Sequence, residues 1–201
     1  MKSYYITVFP PRPSGGKTFF LLWLIILLNS APMALASASD SLLTQARLLY
    51  YESLKDKTKL ETAMALFTSI GQSDTSLHGR TQTYIGSLTA VKAKFAFWPH
   101  QKLKWAKRGL HLMDTGLAQS PEDIEALFIH GTTCYYLPNF FGRGDDAQRH
   151  LRKIVRLLPE QAYQYDPELI ANVIQFLLEK IDLTEEERAP LQRLNMRLAK
   201  K

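Results

Sequence analysis

The chain lacks several features on which common protein classes depend. Its 201 residues include one cysteine, Cys134, so no internal disulfide forms and stability has to come from packing. No segment alternates apolar and polar residues as an amphipathic strand does. The five histidines show no metal-ligand spacing such as H-E-x-x-H. These absences favour a helical protein, and we expect neither a metal nor a cofactor.

No acidic residue precedes Asp40, and the segment before it has the features of an export signal. Residues 1–17 carry three basic residues, an apolar run extends over residues 19–28, and small residues follow up to Ala38. A positive leader, a short apolar stretch and an A-x-A site are typical of a secretory signal peptide. The apolar run is about half of the roughly 20 residues that cross a bilayer.

We therefore expect a signal peptide over residues 1–38, cleaved after Ala36 or Ala38, with an uncleaved anchor as the alternative. Cleavage leaves residues 39–201 as one domain, with a net charge that falls from +6 to about +3. Such a modest charge does not favour nucleic-acid binding. The expected location is periplasmic or secreted, in a bacterial envelope, with no stable membrane insertion once the leader is removed.

Apolar residues recur at helical spacing along the mature chain and predict eight helices, so the expected fold class is all-α. The predicted starts are an Asp40 cap on the first helix, Pro121 in the first turn of the fifth, an Asp145-Asp146 cap on the sixth, Asp166-Pro167 opening the seventh and a Thr184 cap on the eighth. The predicted ends are near Gly71 for the second helix, at Pro99 for the third and before Pro159 for the sixth.

One spacing pattern occurs three times. Its members are Gly109, Met113, Gly116 and Pro121; then Ala147, Leu151, Ile154 and Pro159, shifted by 38 residues; then Ala63, Phe67, Ile70 and Thr75, where threonine replaces the proline. A recurring period of this length predicts stacked units. The pattern resembles the second helix of the tetratricopeptide repeat over roughly residues 41–160, although the first helices lack the Trp-x2-Leu-Gly signature.

The resemblance implies a right-handed superhelical stack of about four antiparallel helical hairpins, with residues 166–201 as a capping pair. It also implies that a protein or peptide partner binds a concave surface lined by the first helices, at residues 41–54, 77–96 and 122–136. Whether the chain forms oligomers stays open.

The segment from Tyr135 to Gly144 is longer than the turn of a standard repeat. Tyr135, Tyr136, Phe140 and Phe141 offer aromatic area, and Arg143 offers a directed charge. Two interpretations are compatible with this composition: the segment packs into a gap between hairpins, which we favour, or it lines a binding groove.

A second feature is the absence of acidic residues between Thr75 and Met113, where all seven charged residues are basic. Such a stretch attracts acidic partners, and Arg80 and Lys92 are the candidate anchors. A plain solvated face, balanced by acidic residues elsewhere, is the favoured alternative.

Catalytic arrangements are sparse. Cys134 lies on an apolar helical stripe, where a buried unreactive thiol is expected. A degenerate enzyme would need a cleft in which titratable groups converge, and finding His130, His150 and Asp146 on separate surfaces would exclude it. We expect no enzymatic activity. The sequence thus predicts an exported helical-repeat binding or scaffold protein; the alternative is an envelope protein that binds a small ligand through the aromatic loop 135–144.

Overall fold

A computed structural model describes the backbone of residues 31–198 and the side chains of residues 41–198. The predicted signal peptide therefore lies largely outside the described residues. The described residues from Leu42 onward group into one compact unit. Helices are the regular structure of the described residues, without strands, which confirms the all-α prediction. Their bounds are α1 Ala31–Ser53, α2 Leu60–Ser73, α3 His78–Phe95, α4 Pro99–Gln119, α5 Ile124–Tyr136, α6 Gly144–Gln161, α7 Pro167–Lys180 and α8 Glu185–Leu198.

Consecutive helices pack against one another along the chain. Helix α3 packs on α4 and α5 on α6, while α3 also contacts α2 and α5. The last two helices contact each other, and α8 also contacts α6. Each described helix is too short or too polar to span a lipid bilayer.

Helices α3 and α4 cross with their backbones in direct contact at two pairs of glycines. A Cβ atom on Gly86 would lie 2.6 Å from the backbone N of Met113, and one on Gly109 would lie 2.6 Å from the carbonyl oxygen of Gly86. Gly79 and Gly116 meet in the same way, since a Cβ on either would lie 2.7 Å from the carbonyl oxygen of the other. Only glycine permits this approach.

The three-fold spacing pattern marks packing positions. The first three positions of each occurrence, nine residues in all, are buried in the structure: Ala63, Phe67, Ile70, Gly109, Met113, Gly116, Ala147, Leu151 and Ile154. The seven that are not glycine belong to three clusters of buried side chains, around α1–α3, around α4–α6, and around α5–α8. The pattern therefore identifies the face that each second helix buries.

Two predicted helix starts are confirmed by their caps. The Asp166 carboxylate accepts hydrogen bonds from the backbone N–H groups of Glu168 and Leu169. Thr184 and Glu187 form a reciprocal capping box, with the Thr184 N–H donating to Glu187 Oε2 at 3.0 Å.

Other predicted boundaries are wrong. Asp40 lies inside α1 rather than capping its start, whereas α2 ends at Ser73, near Gly71 as predicted. Pro99 opens α4 rather than ending α3, which ends at Phe95.

The remaining three boundary errors concern α5 and α6. Pro121 precedes α5, whose cap is Asp123. Asp145 and Asp146 lie in the first turn of α6 rather than capping it, and α6 continues through Pro159 to Gln161. A proline this close to a helix end removes only one backbone hydrogen bond, so the last turn still forms.

Candidate binding groove

An apolar groove of about 460 Å³ lies among α1, α3, α5 and α7. These are the first helices of the four predicted pairs. The lining consists of Tyr50, Tyr51, Leu54, Ser87, Ala90, Val91, Lys94, Phe128, Ile129, Thr132, Thr133, Tyr136, Leu137 and Phe176. Lys94 is the one charged residue among them, so the groove suits an apolar ligand surface.

The polar groups deep in the groove satisfy one another. The Tyr50 hydroxyl lies 3.0 Å from Ser87 Oγ, which in turn lies 3.1 Å from Thr133 Oγ1. Burial raises the pKa of Tyr50 to about 12, so its hydroxyl is neutral at physiological pH. A ligand thus meets aromatic and aliphatic groups without an unpaired buried hydroxyl.

Aromatic rings form one side of the groove. Phe176 makes edge-to-face contacts with Phe128 at 5.5 Å and with Tyr136 at 6.3 Å between ring centroids. Tyr136 remains 68% exposed and Tyr51 40% exposed. These half-free rings offer area that a bound partner would cover.

A buried ionic cluster lies beside the groove, and we call Arg47, Arg80, Tyr84, Asp123 and Glu125 the Glu125 cluster. The Glu125 side chain is fully buried and accepts two hydrogen bonds from Arg47, at 2.7 and 2.6 Å. The Tyr84 hydroxyl donates to the same carboxylate at 2.5 Å. Arg80 adds a contact at 3.4 Å to Glu125 and a hydrogen bond of 2.6 Å to Asp123.

The charged groups in the Glu125 cluster are kept ionised by their partners. Burial alone would raise the pKa of Glu125, but the hydrogen bonds and charges of Arg47 and Arg80 lower it below its ordinary value. Burial would lower the pKa of Arg47, yet Glu125 raises it. The pKa of Tyr84 is raised well above its usual range by burial and by the Glu125 charge. The cluster therefore keeps one charge state through the physiological pH range.

A second polar cluster lies in a cavity of about 450 Å³ bordered by α4, α5 and α6. We call Asp114, His130, Cys134, Arg143 and His150 the His130 cluster. His130 Nε2 lies 2.8 Å from Asp114 Oδ1, and His130 Nδ1 lies 3.0 Å from His150 Nδ1. Arg143 pairs with Asp114 and also lies 2.7 Å from Asp146. His130, His150 and Asp146 all border this cavity, which is the convergence that the enzyme alternative requires.

The two histidines are held in neutral forms. If His130 donates through Nε2 to Asp114, its Nδ1 accepts from the Nδ1–H of His150. In this tautomer the Arg143 guanidinium, 3.2 Å from the same Nε2, bonds Asp114 rather than the ring. Burial lowers the pKa of His130, although the Asp114 carboxylate opposes it. Burial, with the neighbouring His130 and Arg149, lowers the pKa of His150 to about 4.

The chemistry available in the His130 cluster is limited by its surroundings. Cys134 Sγ lies 3.5 Å from His130 Nδ1, but the residue is 2% exposed and burial raises the pKa of the thiol. A raised pKa disfavours the thiolate that nucleophilic attack requires. Among the described residues, no group of three or more His, Cys, Asp and Glu side chains is placed to hold a metal ion.

The seven residues predicted as binding residues do not share one site. Tyr136 lines the groove, and Tyr135 contacts its Phe176 at 5.6 Å between centroids. Phe140 is 76% exposed and stacks on Phe141, which packs against the buried cluster around Met113.

The three predicted basic anchors lie in three different places. Arg143 borders the His130 cavity. Arg80 is buried in the Glu125 cluster, where its guanidinium lies 5.1 Å from the Tyr165 ring. Lys92 pairs with Glu61 at 2.7 Å and lies 5.4 Å from the Trp105 ring.

The α1 and α7 rings of the groove have no distinguishing signal in the sequence. Tyr50-Tyr51 and Phe176 lie in segments already assigned to helical stripes, and no local pattern distinguishes a groove-lining ring from a core ring. A comparison of the chain with protein-family models, curated proteins and solved structures gave no match. The function is therefore inferred from the groove itself.

Proposed function

We propose that the protein is an exported, tetratricopeptide-like helical-repeat module that binds an apolar segment of a protein or peptide partner in the groove. The proposal rests on the composition of the groove, whose lining residues come from the first helix of each of the four predicted pairs. That is where the repeat resemblance expects a partner to bind. The superhelical arrangement and the export signal are parts of this proposal.

The groove has the chemistry of a site for a peptide with large apolar side chains. A volume of about 460 Å³ accommodates several such side chains, and Lys94 at its margin can pair with a carboxylate of the partner. Anchor residues of helical or extended peptides fill pockets of this kind while their polar faces stay in solvent.

The binding test uses linear peptides selected on the purified protein from a displayed library, with affinities measured by fluorescence anisotropy. Tyr136→Ala and Tyr51→Ala remove exposed groove rings, and each should weaken binding roughly 10-fold to 100-fold if the ring is buried by the peptide. Tyr163→Ala is the matched control, since Tyr163 is 83% exposed and does not line the groove. Equal affinities for the Tyr136→Ala variant and the parent protein would exclude the groove as the site.

Export is tested separately by the N-terminal mass of the protein recovered from the cell envelope. Cleavage after Ala36 or Ala38 leaves Ser37 or Ser39 as the first residue. Recovery of the intact leader would instead support the anchored form.

A small apolar ligand is the second candidate. It is favoured by the contacts of Tyr135 and Tyr136 with Phe176 at the groove, which connect the aromatic segment to this cavity. Native mass spectrometry of the purified protein distinguishes the two candidates, because a co-purified small molecule adds a discrete mass that the Tyr136→Ala variant loses.

A further inference from the structure

Three connections between paired helices lie at one edge of the molecule. Lys94 Nζ, at the end of α3, donates a 2.9 Å hydrogen bond to the carbonyl oxygen of Leu54, at the end of α1. Leu54, Lys94 and Leu137 all border the same groove. The α1–α2, α3–α4 and α5–α6 connections therefore form a common surface, which we call the near edge.

The other connections lie together at the opposite end of these helices. Arg80, after the α2–α3 connection, pairs with Asp123 before α5. The Ile124 N–H donates to the Tyr165 hydroxyl, which lies before α7. We call this surface the far edge. Its residues serve as controls in the binding test of the near edge described below.

The near edge exposes aromatic side chains at the connection between α3 and α4. Phe97 is 81% exposed and Trp98 is 54% exposed, and the two rings touch edge to face at 5.0 Å. Leu103, one turn into α4, is 39% exposed. Clustered exposed apolar side chains mark an interaction surface, whereas scattered ones do not.

Basic side chains surround these rings. Residues 52–61 and 92–104, which lie at or next to the two connections, contain seven lysines and three acidic residues. Glu52 and Glu61 are each paired with a lysine, Lys59 and Lys92 respectively. Within the part of the chain that the structure describes, Lys55, Lys57, Lys102 and Lys104 make no ion pair. Their charge is available to an external anionic surface.

We propose that the near edge docks on an anionic phospholipid surface, with Phe97 and Trp98 entering the headgroup layer and the lysines contacting lipid phosphates. Aromatic rings with flanking cations are suited to the membrane interface, where Trp is enriched and each nearby lysine adds attraction to anionic lipid. The two rings lie on the short connection between α3 and α4, where residues 97–100 are all exposed. A bilayer accommodates such a protrusion, whereas a folded acidic protein would need a matching pocket.

The test uses the full chain with an environment-sensitive fluorophore on one added cysteine, in a Cys134→Ala background. Gln101→Cys places the label at the near edge, and Gln164→Cys places it at the far edge; both glutamines are exposed. The probes are vesicles of equal parts phosphatidylglycerol and phosphatidylcholine, and vesicles of phosphatidylcholine alone. We expect a blue shift of the label at residue 101 on the anionic vesicles only, and no shift at residue 164. Because the N-terminal segment is the same in both proteins, this segment cannot by itself produce the difference.

Variants of the near edge test the two components of docking in the same assay. Phe97→Ser with Trp98→Ser should weaken binding at least about 10-fold, and serine at position 98 is a favourable helix cap. Lys102→Gln with Lys104→Gln should weaken it about 30-fold at low salt, and high salt should reduce this difference. Tyr163→Ser and Arg156→Gln, exposed residues away from the near edge, are the controls.

The proposal is overturned by a blue shift at both label positions, by an equal shift on phosphatidylcholine alone, or by no shift at all. Binding to an acidic polypeptide such as polyglutamate without binding to vesicles would assign the near edge to a protein partner instead. Helical circular dichroism of each variant shows whether the fold is kept, and the result does not depend on groove binding.

Discussion

The Glu125 cluster and the His130 cluster are both polar clusters that join neighbouring helices, but their stability should depend on pH in different ways. In the Glu125 cluster two arginines and a tyrosine surround one carboxylate, and every shift favours the state already present. In the His130 cluster two neutral histidines share a hydrogen bond between their Nδ1 atoms. We expect the stability contributed by the Glu125 cluster to vary little with pH, and the stability contributed by the His130 cluster to vary with it.

The two clusters also differ in whether they join helices that line the groove. Glu125 connects α5 to α1 and α3, three of the helices that line the groove, so its cluster holds the groove walls together. The His130 cluster connects α4, α5 and α6 on another side of α5. Damage to the first should therefore disturb binding as well as stability.

The largest expected effect is that of Glu125→Ala. Removing the carboxylate leaves Arg47 and Arg80 buried without their shared partner, so the free energy of unfolding should fall by about 3–5 kcal/mol. Urea denaturation measures it. Glu61→Ala is the control, because the Glu61 side chain is 76% exposed and its pair with Lys92 is worth little. A loss below about 1 kcal/mol for Glu125→Ala would show that the buried charges find other partners.

Acidification should affect the His130 cluster first. His150 has a folded-state pKa of about 4 against an ordinary 6.5, so the unfolded chain binds more protons between these values. Stability is therefore fully present above pH 6.5 and falls as the pH drops towards 4, by at most about 3 kcal/mol. Glu125 has a lowered pKa, so the stability it contributes is lost only below its ordinary value of 4.5.

Denaturation at a series of pH values between 6.5 and 4.5 isolates the histidine contribution. His150→Gln should flatten the dependence in this window, while His111→Gln, on the exposed face of α4, should leave it unchanged. An equally steep profile in the His150→Gln variant would assign the dependence to another group.

A smaller effect is expected for Asp114→Asn. The Asp114 carboxylate is 43% exposed and bonds both His130 and Arg143, so its loss should cost about 1 kcal/mol. The same urea measurement applies, with Glu122→Gln as an exposed control. A cost as large as that of Glu125→Ala would remove the distinction between the two clusters.

The smallest effect is expected for Arg149→Ala. Arg149 pairs with Asp146 at the outer margin of the His130 cavity, but its side chain is 63% exposed. Exposed pairs contribute less than about 1 kcal/mol, so the change in unfolding free energy should be close to the error of the measurement. A loss above about 1 kcal/mol would mean that Arg149 supports the cavity wall.

The helices and their buried faces could be predicted from the sequence because both follow from local periodicity. Apolar spacing placed Leu43, Ala46 and Tyr50 on one buried face, and the structure buries all three. Helix ends were less predictable. A proline such as Pro159 excludes one hydrogen bond rather than a whole turn, and Gly71 is accommodated inside α2.

The two polar clusters could not be predicted because they join residues distant in the sequence. Arg47 and Glu125 are 78 residues apart, and Glu125 stands among apolar residues of α5 where only its partners explain its burial. The proximity of His130 and His150 likewise depends on how α5 packs on α6. The groove has the same origin, since Tyr51 and Phe176 line one groove only through the packing of α1, α5 and α7.

The glycine contacts between α3 and α4 fix the sliding position of the two helices as well as their distance. Gly79 and Gly86 are two helical turns apart, as are Gly109 and Gly116, so the contacts engage together in one alignment only. A shift of either helix by one residue would drive a side chain into the facing backbone. The relative positions of Phe97, just after the end of α3, and Lys102, near the start of α4, are thus determined by glycines several turns away. A single added methyl group at Gly86 would change the geometry of a surface that it never touches.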